Sequence, residues 1–122
     1  METFFKGQSI YFGVEYFNAD GTLKNLTALP NFAVILYQYK NGKKLVCKKA
    51  NILAGELALI WVSNTLYKAK IPSTVTATMD EGKYSIEYVE KTIDADIGIW
   101  VEMGKTIDAI DLQDSEGKGI TL

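Results

Sequence analysis

The stretch at residues 80–86, Asp-Glu-Gly-Lys-Tyr-Ser-Ile, constrains the possible folds of this chain more than any other. Gly82 suits a tight turn because it has no Cβ atom. After Gly82 the residues alternate as in a half-buried strand. The predicted inward face carries Tyr84, Ile86 and Tyr88, and the predicted outward face carries Lys83, Ser85 and Glu87. The stretch therefore predicts a turn followed by a strand over residues 83–90, with Tyr84 at its start.

The spacing of Asp80, Gly82 and Tyr84 resembles the tyrosine corner of immunoglobulin-like (Ig-like) β-sandwiches. In that corner a tyrosine opens a strand, and its hydroxyl binds the backbone of the preceding turn. The resemblance implies that Ile86 stands where antibody domains carry their second cysteine. The start of an ordinary hairpin has the same spacing, so the residues alone leave both interpretations open.

Alternation and turn residues predict strands and turns over most of the remaining chain. Further strands are predicted at residues 9–17, 32–40, 43–50, 56–62 and 97–103, and residues 106–112 continue the last one or form their own. Residues 18–21 and Asn41-Gly42 are predicted turns, and residues 73–79 a connector that can hold one helical turn. The strand at 32–40 is apolar on both faces, which requires a cover for its second face. Gly104 is predicted to break or bulge the last strand.

The length and composition fit one globular domain. The chain has 122 residues, of which 48% are apolar and 23% charged, enough for a two-layer core. No repeat or linker divides it. We therefore predict an all-β chain, an Ig-like antiparallel β-sandwich of about seven to nine strands, as one domain over residues 1–122. The polar segment at about residues 113–122 is its tail.

Two residue types are missing from the sequence, and their absence argues against most enzyme classes. The chain has no histidine, the usual general base near neutral pH and the commonest metal ligand. All 13 basic residues are lysines, so no guanidinium is present to bind phosphate or guanine edges in a bidentate way. With a net charge of −2, the sequence predicts no enzyme, no cofactor and no specific nucleic-acid partner.

Cys47 is the only cysteine, so the predicted fold has no disulfide. It shares strand parity with Leu45, which predicts a small core residue. The neighbouring lysines would lower the pKa of an accessible thiol, and a reactive nucleophile is the alternative.

Three groups of charged residues are candidate sites. Lys43, Lys44, Lys48 and Lys49 predict an edge strand protected against unwanted pairing, with an anion-binding patch as the alternative. Asp94 and Asp96, with Glu90 nearby, are the candidate calcium ligands, against solvated turn residues. The acids Asp108, Asp111, Asp114 and Glu116 are interpreted as a solvated segment, and no metal site is predicted.

Aromatic residues are the candidates for recognition. Trp100 lies on the predicted outward face beside Gly98, where its ring can stack on a sugar or anchor a protein interface. Packing under the acidic tail is the alternative. Weaker candidates of the same kind are Trp61, Tyr37 and Tyr39. They are candidates because their strands are too apolar for a fully solvated sheet.

Several short motifs occur in a recognisable order. Phe-Phe-Lys-Gly-Gln at residues 4–8 leads into an alternating strand, followed by Asn-Ala-Asp-Gly at 18–21, Asn-Leu-Thr at 25–27, a strand from Phe32, a Ser/Thr connector and the corner. This order resembles the small Ig-like domains of tailed-phage virion proteins over about residues 4–112. The resemblance implies an upper baseplate, capsid auxiliary or head-fibre-attachment protein. Because no fibre or receptor-binding region follows before Leu122, a decoration, auxiliary or connector protein is expected.

The expected function is that of a non-enzymatic phage virion structural protein. It would act through contacts with capsid or tail proteins and with itself. The alternative is a carbohydrate-binding or adhesin-type Ig-like module that uses exposed aromatic residues. The N-terminus lacks the basic and apolar regions of a signal peptide, and no run is long enough to span a membrane. The expected location, as the resemblance implies, is the virion, after assembly in the host cytoplasm.

Overall fold

The structure of the chain is a computed structural model that describes residues 1–39, 42, 44–91 and 100–114, with the backbone alone for residues 100–103. Nine strands lie in these residues and form two sheets. The strands are β1 (Glu2–Phe5), β2 (Ile10–Val14), β3 (Phe32–Tyr37), β4 (Lys44–Lys48), β5 (Leu57–Ala58), β6 (Ile60–Trp61), β7 (Tyr67–Ile71), β8 (Gly82–Lys91) and β9 (Trp100–Gln113). A 3₁₀ turn (Leu26–Ala28) and a short helix α1 (Ser73–Thr76) complete the described elements.

The two sheets are built in the orders β1-β9-β8-β3-β4-β5 and β2-β7-β6. Most neighbouring strands are antiparallel, as predicted. Two pairs differ, because β1 runs parallel to β9 and β5 runs parallel to β4. The sequence did not predict β1, because Glu-Thr-Phe-Phe at residues 2–5 has no clear alternation. This strand is instead defined by its backbone pairing with the end of β9.

The core lies between the sheets and follows the period-two pattern of the strands. On β3 the side chains of Phe32, Val34 and Leu36 are fully buried. The smaller sheet contributes Tyr67, whose ring meets that of Phe32 edge to face at a centroid distance of 4.9 Å. Other fully buried residues are Ile10, Val14, Leu26, Ala69, Ile71 and Cys47. The all-β class and the two-layer packing predicted from the sequence are confirmed.

The stretch predicted as one strand over residues 56–62 is two strands, and the prediction was wrong here. β5 pairs with β4 in the larger sheet, whereas β6 pairs with β7 in the smaller sheet. Between them lies Leu59, which is buried and whose N–H donates to the carbonyl of Lys48 at 2.7 Å. The chain thus crosses from one sheet to the other at Leu59, whereas Ile60, Trp61 and Val62 after it are exposed.

The predicted corner contains the hydrogen bond expected from its spacing. The Tyr84 hydroxyl donates to the carbonyl of Asp80 at 2.7 Å, and the Tyr84 side chain is buried. Burial, followed by the Asp80 carboxylate, raises the pKa of Tyr84. Gly82 has φ of 121°, in a region that residues with a Cβ rarely adopt. The helical turn predicted before the corner is α1, which begins directly after Pro72 ends β7.

A bulge in β9 changes the surroundings of Ser85. Tyr84 pairs with Ile110 and Ile86 pairs with Thr106, so residues 107–109 of β9 face Ser85 alone. Ser85 lies opposite Tyr37 on the outer face, as its parity predicts. However, it is 2% exposed rather than solvated, and its Oγ accepts a hydrogen bond from the N–H of Asp108 at 3.0 Å. A second register shift lies between Tyr88 and Val89 and involves the partner Gly104, where a break or bulge was predicted.

No helix in the described part of the chain is long and apolar enough to cross a membrane. The predicted turn at Asp94 and Asp96, and most of the predicted tail, lie outside the described residues.

The corner hydrogen bond is expected to contribute measurably to stability. Tyr84→Phe removes the hydroxyl and leaves the Asp80 carbonyl without this donor, which should lower the free energy of unfolding by about 1–2 kcal/mol. Tyr11→Phe is the matched control, because Tyr11 is 46% exposed and should change stability by less than about 0.5 kcal/mol. Urea unfolding followed by circular dichroism measures both. Equal effects of the two substitutions would contradict the assignment.

Cys47 is fully buried, as predicted, and burial raises the pKa of its thiol from 9.0 to about 11. The folded protein therefore keeps this proton between about pH 9 and 11, where the unfolded chain releases it. Stability is consequently lost as the pH rises through this window. We expect the free energy of unfolding to fall by about 2 kcal/mol more in wild type than in Cys47→Ala between pH 8 and 10.5.

Urea titrations of both proteins at the two pH values, under reducing conditions, measure this difference. Native wild type should also resist iodoacetamide at pH 8 and react once unfolded. Parallel pH dependence in the two proteins, or rapid alkylation of the folded chain, would show an accessible thiol and support the reactive-cysteine alternative.

Candidate binding surface

An aromatic pair lies where β3 ends: Tyr37 is the last residue of the strand, and Tyr39 lies in the turn after it. The rings of Tyr37 and Tyr39 meet edge to face, with a centroid distance of 5.2 Å and an interplanar angle of 78°. The Tyr37 hydroxyl donates to that of Tyr39 over 3.4 Å, a long and weak bond. This bond is the main reason why the pKa of Tyr37 is raised. Tyr39 is 69% exposed, so its ring is held by Tyr37 but remains accessible.

Charged groups of both signs border this pair. The Nζ atom of Lys105 lies 6.0 Å from the centre of the Tyr37 ring and 3.9 Å from Oε2 of Glu87. A cation at this distance is weakly attracted to the face of the ring. The position of Lys105 follows from the β8–β9 register, in which it pairs with Glu87. The outer face of the larger sheet thus carries an aromatic pair beside a loose ion pair.

A groove of about 530 Å³ runs from Tyr39 to the corner, and we call it the Tyr39 groove. Its floor has no side chain at Gly82, where a Cβ atom would stand 2.9 Å from Nε2 of Gln38. That amide donates to the carbonyl of Glu81 at 2.9 Å, which links the end of β3 to the corner. The remaining lining residues are Lys83, Ser85 and Asp108. Because Asp108 belongs to the β9 bulge, the bulge forms one wall of the groove.

The groove contains several groups that can bind a ligand. It combines an exposed ring with a carboxylate, an ammonium group and an amide. Ser85 is turned toward the backbone of Asp108. Within the described ranges no three residues among His, Cys, Asp and Glu converge as a metal site would require. This arrangement can stack, accept and donate hydrogen bonds, and neutralise charge.

The structure separates the four aromatic residues chosen from the sequence. Tyr37 and Tyr39 lie together, as their parity predicts. Trp61 lies on β6 in the smaller sheet and is 58% exposed, between exposed Ile60 and Val62. For Trp100 the structure describes the backbone, which pairs with Lys91. The prediction that its side chain lies outward for recognition falls outside the described side chains.

The lysines around β4 are divided between several roles. Lys48 forms a 2.8 Å ion pair with Glu56. Lys49 donates from Nζ to the carbonyls of Thr27 at 2.7 Å and Leu29 at 2.5 Å, next to the 3₁₀ turn. Lys44 remains exposed on β4, and Lys43 lies outside the described residues. Two of the four lysines are thus committed to internal contacts, which weakens an anion-binding patch.

Of the proposed calcium ligands, Glu90 forms an ion pair with Lys24, with 2.7 Å between Oε2 and Nζ. Asp94 and Asp96 lie outside the described residues. In the acidic C-terminal run, Asp108 is exposed and Asp111 half-buried, and Asp111 accepts from the side-chain amide of Gln113 at 2.8 Å. Glu116 is outside the described part.

Comparisons with known proteins identify no relative of this chain. No protein-family profile, no curated protein and no solved structure matches it.

Sequence reasoning missed the Tyr39 groove. Its wall depends on the bulge that places Asp108 beside Ser85, with φ of 49° at Asp108. Residues 105–111 contain no glycine or proline that would mark this bulge, and the predicted solvated role of Asp108 gave no reason to link it to Tyr39.

Proposed function

We propose that this chain is an Ig-like β-sandwich. The support is its strand order. β9-β8-β3-β4 corresponds to strands G-F-C-C′ of a variable-type Ig sheet, and β2-β7-β6 corresponds to B-E-D of the opposing sheet. The hydrogen bond from Tyr84 to Asp80 lies where such domains carry the tyrosine corner, before strand F. Ile86 then takes the place of a disulfide cysteine and packs in the core.

We further propose that the chain is a non-enzymatic structural protein that works through protein contacts. The observation that carries this proposal is the Tyr37–Tyr39 pair, a preformed aromatic surface on the outer face of the larger sheet. Tyrosine is enriched among the residues that contribute most of the binding energy at protein interfaces. The lack of histidine and arginine in the sequence agrees with a binding role.

The proposed setting is a phage virion, with capsid, tail or baseplate proteins and further copies of this chain as partners. This step is supported by the order of short motifs over about residues 4–112 and by the proposed Ig-like fold. Mass spectrometry of purified particles of the phage that encodes the chain would detect it at a fixed copy number per particle. Its absence from intact particles would refute this setting.

Self-association tests the role of the tyrosine pair. We expect wild type to associate reversibly. Tyr39→Ala should raise the dissociation constant by about 10- to 30-fold, because truncation of a central interface aromatic costs this much binding energy. Sedimentation velocity over a concentration series measures this constant. Trp61→Ala is the matched control, because it removes another exposed aromatic residue, which lies on the other sheet.

If wild type stays monomeric at all concentrations and binds no virion protein, the assembly function fails. If Trp61→Ala weakens association and Tyr39→Ala does not, the tyrosine pair is the wrong surface.

Carbohydrate binding is the second candidate function, and the Tyr39 groove favours it. An exposed ring beside Asp108, Lys83 and the Gln38 amide provides stacking and polar contacts for a sugar unit. On a glycan array, wild type should then bind a defined set of glycans, and Tyr39→Ala should lose at least about 10-fold in affinity. Trp61→Ala should retain binding. An array without any bound glycan would eliminate this candidate.

A further inference from the structure

The hydrogen-bond pattern of the antiparallel β3–β4 ladder determines which backbone groups of β4 point away from β3. Lys49 donates from its N–H to the carbonyl of Phe32 at 3.0 Å, and these two residues continue the β3–β4 register. Directly opposed residues alternate between bonded and non-bonded pairs. Leu45 therefore bonds to Leu36 on β3, whereas the backbone groups of Lys44 and Val46 point away from β3.

β5 covers only part of this edge. It pairs with Cys47 and Lys48, and the Lys48 carbonyl accepts from Leu59. Within the described residues no strand lies alongside Lys44 and the N–H of Val46. A short row of main-chain donors and acceptors is thus open at the side of the larger sheet, as in proteins that bind an added strand.

An apolar groove of about 340 Å³ lies beside this edge, between β4 and the segment that leads from α1 to the corner at Asp80. Leu45, Val75 and Met79 line it, and all three are half-buried and pack against the core. A strand placed next to β4 would direct every second side chain toward this groove, because successive residues point to opposite faces. The edge therefore has both parts of a strand-addition site, main-chain groups and a side-chain groove.

The charges at the edge favour one kind of added strand over another. Lys44 is exposed and lies on the outer face opposite Tyr37. Like charges on two copies would repel each other, so the edge disfavours pairing with a second copy. A carboxylate opposite Lys44 is attracted instead. Leu45, Val75 and Met79 line the groove, which favours apolar side chains on the inward positions.

We propose that β4 binds an extended segment of a partner protein by strand addition, and that this segment alternates acidic with apolar residues. The acidic side chains lie outward beside Lys44, and the apolar ones enter the groove next to Leu45 and Met79. This inference rests on the proposed function, since it names the kind of partner segment that an assembly protein of this fold recognises.

The test uses a synthetic heptapeptide that alternates glutamate with isoleucine, added to the ¹⁵N-labelled full chain. Amide hydrogen exchange is followed by NMR. Binding should slow exchange of the Val46 amide by at least about tenfold, while the Leu45 amide, already bonded to Leu36, should be protected with and without peptide. A heptapeptide of the same sequence with methylated main-chain nitrogens should bind much more weakly.

Lys44→Glu is the matched charge variant, and its exposed position should leave thermal stability unchanged. It should weaken binding of the glutamate peptide by at least about tenfold and gain binding of a peptide with lysine in place of glutamate. The proposal is overturned if millimolar glutamate peptide leaves the Val46 amide unprotected, or if Lys44→Glu binds both peptides as wild type does. It also fails if Val46 becomes protected with rising protein concentration alone, because a second copy then occupies the edge.

These outcomes are separable from those of the proposed function. Peptide binding at β4 is read at Val46, whereas assembly through the tyrosine pair is read from the effect of Tyr39→Ala on sedimentation. Loss of the first with retention of the second would remove the strand-addition site alone.

Discussion

The pairing of β3 on both of its edges is the constraint on which the other features depend. Its odd-numbered residues bond to β8 and its even-numbered residues bond to β4, since Asn31 accepts from Lys91 and Phe32 accepts from Lys49. The same period of two buries Phe32, Val34 and Leu36 and sends Tyr37 to the outer face. One strand thereby sets the core, the position of the tyrosine pair and the direction of the open edge of β4.

The irregular parts of the sheets shape the surfaces that this regular strand presents. The bulge opposite Ser85 brings Asp108 to the Tyr39 groove, and the start of β5 at Leu57, opposite Cys47, leaves the first residues of β4 uncovered. Both irregularities are local departures from ideal pairing, and such departures often occur where a sheet binds something else. The candidate sites therefore lie where the ladder is interrupted.

Individual residues show how far sequence reasoning reached. The spacing at the corner predicted the contact between Tyr84 and the preceding turn, because a turn glycine and an inward tyrosine are local features. The parity of Cys47 with Leu45 predicted its burial. The prediction failed for residues 56–62, because an apolar run on both faces fits a central strand and a sheet crossing equally well. It also missed β1, whose partner is more than a hundred residues away in the chain.

The sequence by itself determined the all-β class, the inward residues of the main strands and the absence of a disulfide, because alternation, turn chemistry and cysteine count are local properties. Tertiary structure alone decided the strand order, the two parallel pairings and the bulge at Asp108. These depend on which distant strands satisfy each other's backbone groups and bury each other's faces. The Tyr39 groove and the open edge at Lys44 arise from that long-range pairing, so no local pattern in the sequence could reveal them.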